Sequence, residues 1–279
     1  MRTRLQWLVA CGVVVAPAVA SADSFVTLDR QDRTSSAGFE ASYLDLKDAA
    51  DPTHSSTLFR FDAHAQYVTP GGFGAYIAVP FSYVNNDNSN WALDDLEVGG
   101  IYVLPQQSPG LDIVLHAGLA LPTGSSDLQG ALQNLIASSA RWNDFYLALG
   151  DATSLRLGAS AIYRSGALVA RVDLGVDANL SNNNSNASNT DTADTFVRLN
   201  VGVGVDLSHQ ALLMAELVNL YDPGADGDFS TKVIDSGAIS LRYTGASVHP
   251  YVALVLPLDD DAKSFASTAV TLGVDAPLQ

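Results

Sequence analysis

Charged side chains recur at every second position in several stretches of this sequence. Arg156, Arg171, Asp173 and Asp177 alternate with apolar residues such as Leu174. A β-strand turns alternate side chains to opposite faces, so these charges share one face. Guanidinium and carboxylate groups on one face can form ion pairs, and where the face lines a pore they select and orient solutes. The pattern therefore predicts a charged inner wall.

The same alternation assigns further charged side chains to this wall. The lumen-lining residues expected to set selectivity are Arg60, Asp62, His64, Glu97, Asp112, His116, Arg156, Arg171, Asp173, Asp177, Arg198 and Glu216. Two interpretations stay open: ion pairs that fill a narrow lumen, which we favour as the primary role, or opposing charged rows whose transverse field orients solutes. A two-residue turn at Ser165-Gly166 would place Arg156 opposite Gly175.

The residue pattern gives little support for a metal site or for catalysis. His64 and His116 have no neighbours at metal-ligand spacing, so we expect no metal site and no cofactor. Ser208-His209 and His249 lack a convincing nucleophile beside them, and Gly-x-Ser-x-Gly is absent. We therefore predict that the protein is not an enzyme.

The strands that carry this pattern are long. Leu58 to Thr69 is a clear example, and strands of 10 or more residues exceed the typical 5–6 or so of soluble proteins. About twelve strands follow one another, and short turns alternate with longer loops. Long strands, this alternation of connections and an even strand count predict an all-β protein: a single antiparallel transmembrane β-barrel of the outer membrane.

The N-terminus indicates export. Arg2 and Arg4 precede an apolar run from Leu5 to Val19, and Ala20-Ser21-Ala22 is a small-x-small cleavage site. We therefore divide the chain into a signal peptide (1–22), a periplasmic N-terminal segment (23–36) and the barrel (37–279), and place the mature protein in the outer membrane of a Gram-negative cell.

The longest break in the alternation runs from Pro122 to about Ala152. The spacing of apolar residues from Leu128 to Ala140 is compatible with a short helix. Long loops are usually functional, so this one is expected to fold over or into the barrel.

Charge narrows the choice of partners. The formal net charge is -16, and nucleic acid calls for a basic face, so we exclude it. The expected partners are outer-membrane lipid and lipopolysaccharide, the barrel assembly machinery and small solutes. Nothing in the sequence indicates the oligomeric state.

One region resembles a known family. Asp95 to Leu104 is an acidic, glycine-containing strand, and after Leu111 to Leu119 the sequence Leu121-Pro122-Thr123-Gly124 opens the long loop. This order resembles the outer-membrane family named for the meta-pathway of phenol degradation. The resemblance implies a barrel channel, linked in some contexts to uptake of aromatic or hydrophobic compounds. The chain departs from the usual aromatic C-terminus of outer-membrane barrels, since it ends Ala276-Pro277-Leu278-Gln279.

These observations predict an outer-membrane channel for passive uptake of small solutes, with hydrophobic or aromatic compounds as the class that the resemblance implies. Glycines on the inner face, such as Gly158, Gly175 and Gly202, favour open space and hence a pore. The alternative is a closed structural or surface-interaction barrel without transport activity, whose Arg–acid pairs plug the lumen.

Overall fold

The computed structural model describes residues 25–47, 55–85, 89–106, 108–149, 153–180, 195–208, 210–259, 263 and 268–278. The signal peptide assigned to residues 1–22 lies outside them. The strands are β1 (Ser36–Lys47), β2 (Ser55–Val68), β3 (Phe73–Asn85), β4 (Asn90–Leu93), β5 (Leu96–Val103), β6 (Leu111–Leu121), β7 (Ser154–Ser165), β8 (Leu168–Asn179), β9 (Thr195–Ser208), β10 (Ala211–Tyr221), β11 (Val233–Tyr243), β12 (His249–Pro257) and β13 (Ala269–Pro277).

These strands form one closed ring. All strands but β4 and β5 pair antiparallel with their neighbours in the sequence, and β1 pairs with β13, from Ser36 opposite Pro277 to Leu44 opposite Ala269. β4 and β5 both pair with β3 and together occupy one strand position, so the thirteen strands form a twelve-stranded wall. The prediction of a single antiparallel barrel of about twelve strands is confirmed.

The strand position formed by β4 and β5 is interrupted at Asp94 and Asp95. Opposite the break lies Pro80, whose carbonyl accepts a hydrogen bond from the Asp94 amide at 3.1 Å. A strand residue points its N–H and C=O to the same side, so the donor that proline lacks is missing from this edge. The Asp95 amide bonds instead to the Leu147 carbonyl at 3.0 Å.

The two faces of the wall differ in chemistry. Along β8, Leu168, Val172 and Leu174 are exposed on the outer face, whereas Arg171 and Asp173 are buried inside. An outer face of aliphatic and aromatic side chains suits lipid, and charges on the inner face avoid it. We call the end with the connections at 69–72, 104–110, 166–167, 209–210 and 244–248 the short-turn end, and the opposite end the long-loop end.

The hairpin of β7 and β8 turns one residue later than the sequence suggested. Ser165 pairs with Leu168, so Gly166 and Ala167 form the turn, and Arg156 lies opposite Asp177 rather than Gly175. Gly166 has a φ of 59°, in the left-handed region that glycine tolerates best. The glycine therefore fixes the turn position and, with it, the register of the hairpin.

Two parts of the chain occupy the interior. The first is the N-terminal segment, residues 25–35, which was expected in the periplasm. In the structure Phe25, Leu28 and Asp29 from this segment are buried inside the barrel. Its sequence has no regular period because its conformation follows the partners that it meets inside the barrel.

The second part is the insert, residues 122–149, which was expected to fold over or into the barrel. It contains α1 (Leu128–Ala137) and two 3₁₀ helices, Ser138–Ala140 and Trp142–Ala148. Gln133 and Asn134 bond to the inward hydroxyl of Ser82, at 3.0 and 2.8 Å, so the insert lies inside at the long-loop end. No helix in the described part of the chain has the length and apolar character needed to cross a membrane.

Apolar side chains close the short-turn end on one side of the lumen. Phe25 and Leu28 from the N-terminal segment pack against inward residues of six strands. The apolar cluster consists of Phe25, Leu28, Tyr76, Ile101, Val103, Val114, Ile162, Val169, Leu212 and Met214. Its burial joins the N-terminal segment to the wall without any strand pairing.

The assignment of faces predicts the effect of an arginine at Leu174. This side chain is 57% exposed on the outer face. Leu174→Arg should cost about 2–4 kcal/mol of barrel stability if the residue lies near the membrane midplane. Urea unfolding in lipid vesicles measures this cost.

Ala167→Arg is the matched control, because Ala167 lies in the exposed turn of the same hairpin. Its unfolding midpoint should stay near that of the parent. Equal midpoints for the two variants would contradict the face assignment. Gly175 is not a suitable control, since a Cβ there would lie 2.3 Å from Nη2 of Arg198.

Candidate functional site

The middle of the lumen contains two patches of opposite charge. We define the arginine patch as Arg156, Arg171 and Arg198 on β7, β8 and β9, and the acidic patch as Glu40, Asp62 and Asp144 on β1, β2 and the insert. All six side chains are buried. A charge away from water needs partners, so the contacts of each patch decide what it can do.

The arginine patch is only partly neutralised by the wall. Arg198 Nε lies 2.8 Å from one oxygen of Asp177, and Arg156 Nε donates to the other at 3.2 Å. Arg171 Nε donates to Asp173 at 2.7 Å. Three guanidinium groups therefore share two carboxylates of the wall, and Asp144 of the insert lies farther away, 3.7 Å from Arg156 Nη1.

Asp29 of the N-terminal segment supplies a further negative charge. Arg198 Nη1 donates to its two carboxylate oxygens at 2.7 and 2.9 Å, and Arg156 Nη1 donates at 3.3 Å. Asn143 Nδ2 donates at 2.9 Å, and His116 Nε2 lies 3.4 Å away. Asp29 is 0% exposed, so these groups replace the whole of its hydration.

The acidic patch has the opposite imbalance. Arg60 contacts Glu40 at 3.1 Å, Asp144 at 3.0 Å and Asp62 at 3.5 Å. Arg141 Nε lies 2.7 Å from Asp144. Two arginines therefore meet three carboxylates, and one negative charge is left over.

Arg30 of the N-terminal segment completes the acidic patch. Its guanidinium lies 2.9 Å from Glu40, 3.2 Å from Asp62 and 3.4 Å from Asp144. The neighbouring residues Asp29 and Arg30 thus bring opposite charges to the two patches.

The surroundings hold both residues in their charged forms. Burial raises the pKa of Asp29, but the positive charges of Arg198 and Arg156 outweigh it, and the pKa falls well below its ordinary value. Burial lowers the pKa of Arg30, but Asp62, Glu40 and Asp144 raise it well above its ordinary value. The N-terminal segment therefore stays ionised inside the barrel.

Further contacts fix the backbone of the N-terminal segment. Glu216 accepts hydrogen bonds from the amides of Val26 and Thr27 at 2.9 and 2.6 Å. Arg171 Nη2 donates to the Gln31 carbonyl at 3.0 Å, and Arg141 donates to the Leu28 carbonyl. Every hydrogen bond that the structure gives between residues 25–34 and the wall involves a side chain. Residues 25–34 are therefore bound as a ligand would be and do not pair with any strand of the sheet.

The inward glycines do not provide open space, contrary to the sequence argument for a pore. A Cβ at Gly158 would lie 2.3 Å from the His116 ring, and one at Gly202 would lie 2.6 Å from Phe25 and Leu28. Glycine at these positions makes room for large neighbouring side chains. The interpretation of the glycines as a sign of an open lumen is wrong.

The structure places the predicted lumen residues as follows. All are buried except His64, which is half-buried. His64 bridges Asp62 and Asp275 at 3.0 Å each, and Glu97 accepts a hydrogen bond from Tyr76 at 2.6 Å. Asp112 lies apart from both patches and pairs with Arg33 and Arg164 at 3.2 Å. Their role in selectivity stays a prediction.

Sequence reasoning missed the residues that join the two patches. Asp29, Arg30, Asn143 and Asp144 lie in segments without period-two patterning, so no strand face assigned them inward. Glu40 did carry a signal, because it alternates with Phe39 and Ala41, but it was not selected.

The space left inside is small. A cavity of about 30 Å³ lies between the N-terminal segment, the insert and the wall, with Arg30, Glu40, His64 and Tyr251 among its lining residues. Such a volume holds water molecules rather than a solute. Among the described residues, no group of three or more His, Cys, Asp or Glu side chains is arranged to hold a metal ion.

Known structures of outer-membrane proteins share this architecture. A NanC porin matches 87% of this chain and 100% of its own, with a TM-score of 0.59 and 11% identity. An outer-membrane channel from Pseudomonas putida F1 matches 94% of this chain and 100% of its own, with a TM-score of 0.60 and 10% identity. The KdgM porin matches 88% and 99%, with a TM-score of 0.54 and 12% identity.

These likenesses show that the fold is that of outer-membrane β-barrels. No protein-family model matches the chain, and no curated protein sequence matches it.

The contact between Gly202 and the N-terminal segment gives a testable prediction. Gly202→Leu would place a side chain where Phe25 and Leu28 now lie, 2.6 Å from the Cβ position. The segment has no strand pairing, so it should leave the lumen while the barrel stays closed. Trypsin should then cleave after Arg30 in the folded variant, as followed by mass spectrometry.

Gly100→Leu is the matched control, because the atom nearest to a Cβ there is 3.9 Å away, on the outer face. In that variant, as in the parent, Arg30 should stay protected from trypsin. Protection of Arg30 in both variants would show that the segment is not held in this way.

Proposed function

We propose that this protein is an outer-membrane channel for passive uptake of small solutes, and that the N-terminal segment closes its lumen in the state described here. One observation carries the proposal: a complete, polar-lined barrel encloses a segment whose residues 25–34 pair with no strand and make hydrogen bonds to the wall that each involve a side chain. Its removal breaks no strand pairing, whereas the insert is tied to the wall by backbone bonds such as that from the Asp95 amide to the Leu147 carbonyl.

The proposed location is the outer membrane, reached by export after cleavage of the signal peptide. In outer-membrane barrels the short turns face the periplasm. The N-terminal segment joins β1 at Ser36, at the short-turn end, so it would enter the lumen from the periplasmic side. Outer-membrane lipid, lipopolysaccharide and the assembly machinery are the partners that such a barrel needs.

The proposed solutes are small molecules that carry both an apolar and a charged part. The apolar cluster lies beside the two charged patches, so one occupant can contact both kinds of surface. The resemblance to the meta-pathway family, which stays a prediction, favours aromatic or hydrophobic compounds. The predicted lumen residues of the two patches, such as Arg198 and Asp62, would then set selectivity.

The proposal assigns no catalytic role. Two lumen histidines, His64 and His116, contact carboxylates of Asp62, Asp275 and Asp29, and a third, His249, is also buried on the inner face. Hydrolysis by a barrel enzyme would need a histidine beside a serine nucleophile. Absence of activity stays a prediction.

A closed structural barrel is the second candidate. Its support is that Asp29 and Arg30 supply the opposite charge to each of the two patches, and that the cavity between the N-terminal segment, the insert and the wall has a volume of about 30 Å³. Breaking a buried ion pair by removing one partner typically costs about 3–5 kcal/mol. Such a cost would favour the closed state unless a solute or the membrane offsets it.

Conductance across planar bilayers distinguishes the two candidates. Deletion of residues 25–34, with the signal sequence retained, should give open channels in most insertions, whereas the intact chain should be closed most of the time. Deleting the insert as well should raise the single-channel conductance further, because the insert fills the long-loop end. A heat-dependent shift in gel mobility verifies that each variant is folded.

Deletion of the exposed residues 223–229, in the loop between β10 and β11, is the control and should leave the channel closed. If the folded double-deletion variant carries no current, the channel proposal fails and the closed barrel is the better account.

A further inference from the structure

We propose that the arginine patch is a binding site for the carboxylate of monocarboxylate solutes with an apolar body, and that Asp29 occupies this site as an internal ligand. The claim that such solutes are transported rests on the proposed channel function. The claim that they bind rests on the geometry of the lumen alone.

The donors around Asp29 converge on a carboxylate. One oxygen accepts from Arg198 Nη1, Asn143 Nδ2 and Arg156 Nη1, at 2.7, 2.9 and 3.3 Å. The other accepts from Arg198 Nη1 at 2.9 Å and lies 3.4 Å from His116 Nε2. Hydrogen bonds between charged groups are the strong ones, and both oxygens are engaged.

The donors are held by the barrel and the insert, not by the N-terminal segment. Asp177 orients Arg156 and Arg198 through their Nε atoms. Asn143 accepts from Asn200 Nδ2 at 2.8 Å and from Arg198 Nη1 at 3.2 Å, which fixes its amide. The site therefore persists when Asp29 withdraws, and little ordering is needed to bind another carboxylate.

Charge limits the occupant to one negative group. Arg156, Arg171 and Arg198 share Asp173 and Asp177, and Asp144 lies 3.7 Å from Arg156, so the donors that converge on Asp29 can take one further carboxylate, at its position. A second carboxylate on the same solute would approach the acidic patch, where Arg30 alone compensates the excess negative charge. The lumen should therefore prefer monocarboxylates to dicarboxylates.

The N-terminal segment also indicates the chemistry of the part of the solute that is not the carboxylate. Leu28, next to Asp29, and Phe25 fill the apolar cluster at the short-turn end. When the segment leaves, this surface becomes available beside the arginine patch. An aliphatic or aromatic body attached to a carboxylate would reproduce both sets of contacts.

The first experiment removes the internal carboxylate from the full-length chain. Asp29→Ala leaves a carboxylate-sized gap and unpaired donors, so the variant should unfold at lower urea than the parent. Acetate should raise its unfolding midpoint in detergent micelles, with a logarithmic dependence on concentration. Acetamide, and sodium chloride at equal ionic strength, should not.

The parent chain is the control, and its midpoint should not respond to acetate beyond the effect of sodium chloride. Equal effects of acetate and acetamide on Asp29→Ala would overturn the proposal. If Asp29→Ala does not fold, the second experiment decides alone.

The second experiment asks whether a solute displaces Asp29 from the intact protein. Three molecules with four carbons each are compared at constant ionic strength: butyrate, butyramide and succinate. Butyrate should accelerate trypsin cleavage after Arg30 in a saturable manner, because it competes for the arginine patch and frees the segment. Butyramide should have no effect, and succinate should have less than butyrate.

Arg198→Lys keeps the charge but loses the fork of donors, so it should weaken the response to butyrate by about tenfold in concentration, or ~1.4 kcal/mol. Cleavage that is indifferent to all three molecules, or equal for butyrate and butyramide, would overturn the proposal. Equal effects of succinate and butyrate would overturn the preference for a single charge.

These readouts separate the two proposals. Cleavage that responds to butyrate, with no conductance from any deletion variant, keeps the binding site and rejects the channel. Conductance without discrimination between butyrate and butyramide keeps the channel and rejects the carboxylate site.

Discussion

The interior of this barrel depends on one constraint: each charge that the wall turns inward needs an opposite charge nearby. A lipid-facing wall leaves its charged side chains no place except the lumen, and the occupied lumen contains little water. The wall and insert place Arg156 and Arg198 around the position of Asp29, and Glu40, Asp62 and Asp144 around that of Arg30. Each of the two residues supplies the opposite charge there, so the position of the N-terminal segment follows from the electrostatics of the wall and the insert.

The two interior segments differ in how they are held, and this difference assigns them different roles. The insert is joined to the wall by backbone hydrogen bonds at the break between β4 and β5, such as that from the Asp95 amide to the Leu147 carbonyl. The N-terminal segment contributes side chains and amides that any suitable ligand could replace. A barrel can therefore hold a fixed constriction and a removable one within the same lumen.

The sequence predicted the wall well because alternation is a local property. Each strand residue is placed inward or outward by its neighbours alone, and this was enough to put Arg156, Asp173 and Arg198 on one face. It did not place Asp29, Arg30 or Asp144, since these lie in segments whose conformation depends on distant partners. It also missed the register of the hairpin by two residues, because the choice between Ser165-Gly166 and Gly166-Ala167 depends on the backbone angles of a single glycine. The glycines of the inner face led to the wrong prediction of an open lumen for a related reason. A glycine in the sequence shows that no side chain is present at that position, but not which neighbouring side chain occupies the space.

The seam between β1 and β13 has a consequence for the order of folding. It pairs Ser36 with Pro277, so the ring can close only after every other strand has been made. Contacts between such distant residues form late, since a long chain must first be brought together. The N-terminal segment, synthesised before all the strands, has no site to bind until β7, β8 and β9 are assembled. It can nevertheless enter a finished ring, because residues 25–34 pair with no strand. The last step of maturation would then be the replacement of water inside a completed barrel by the N-terminal segment.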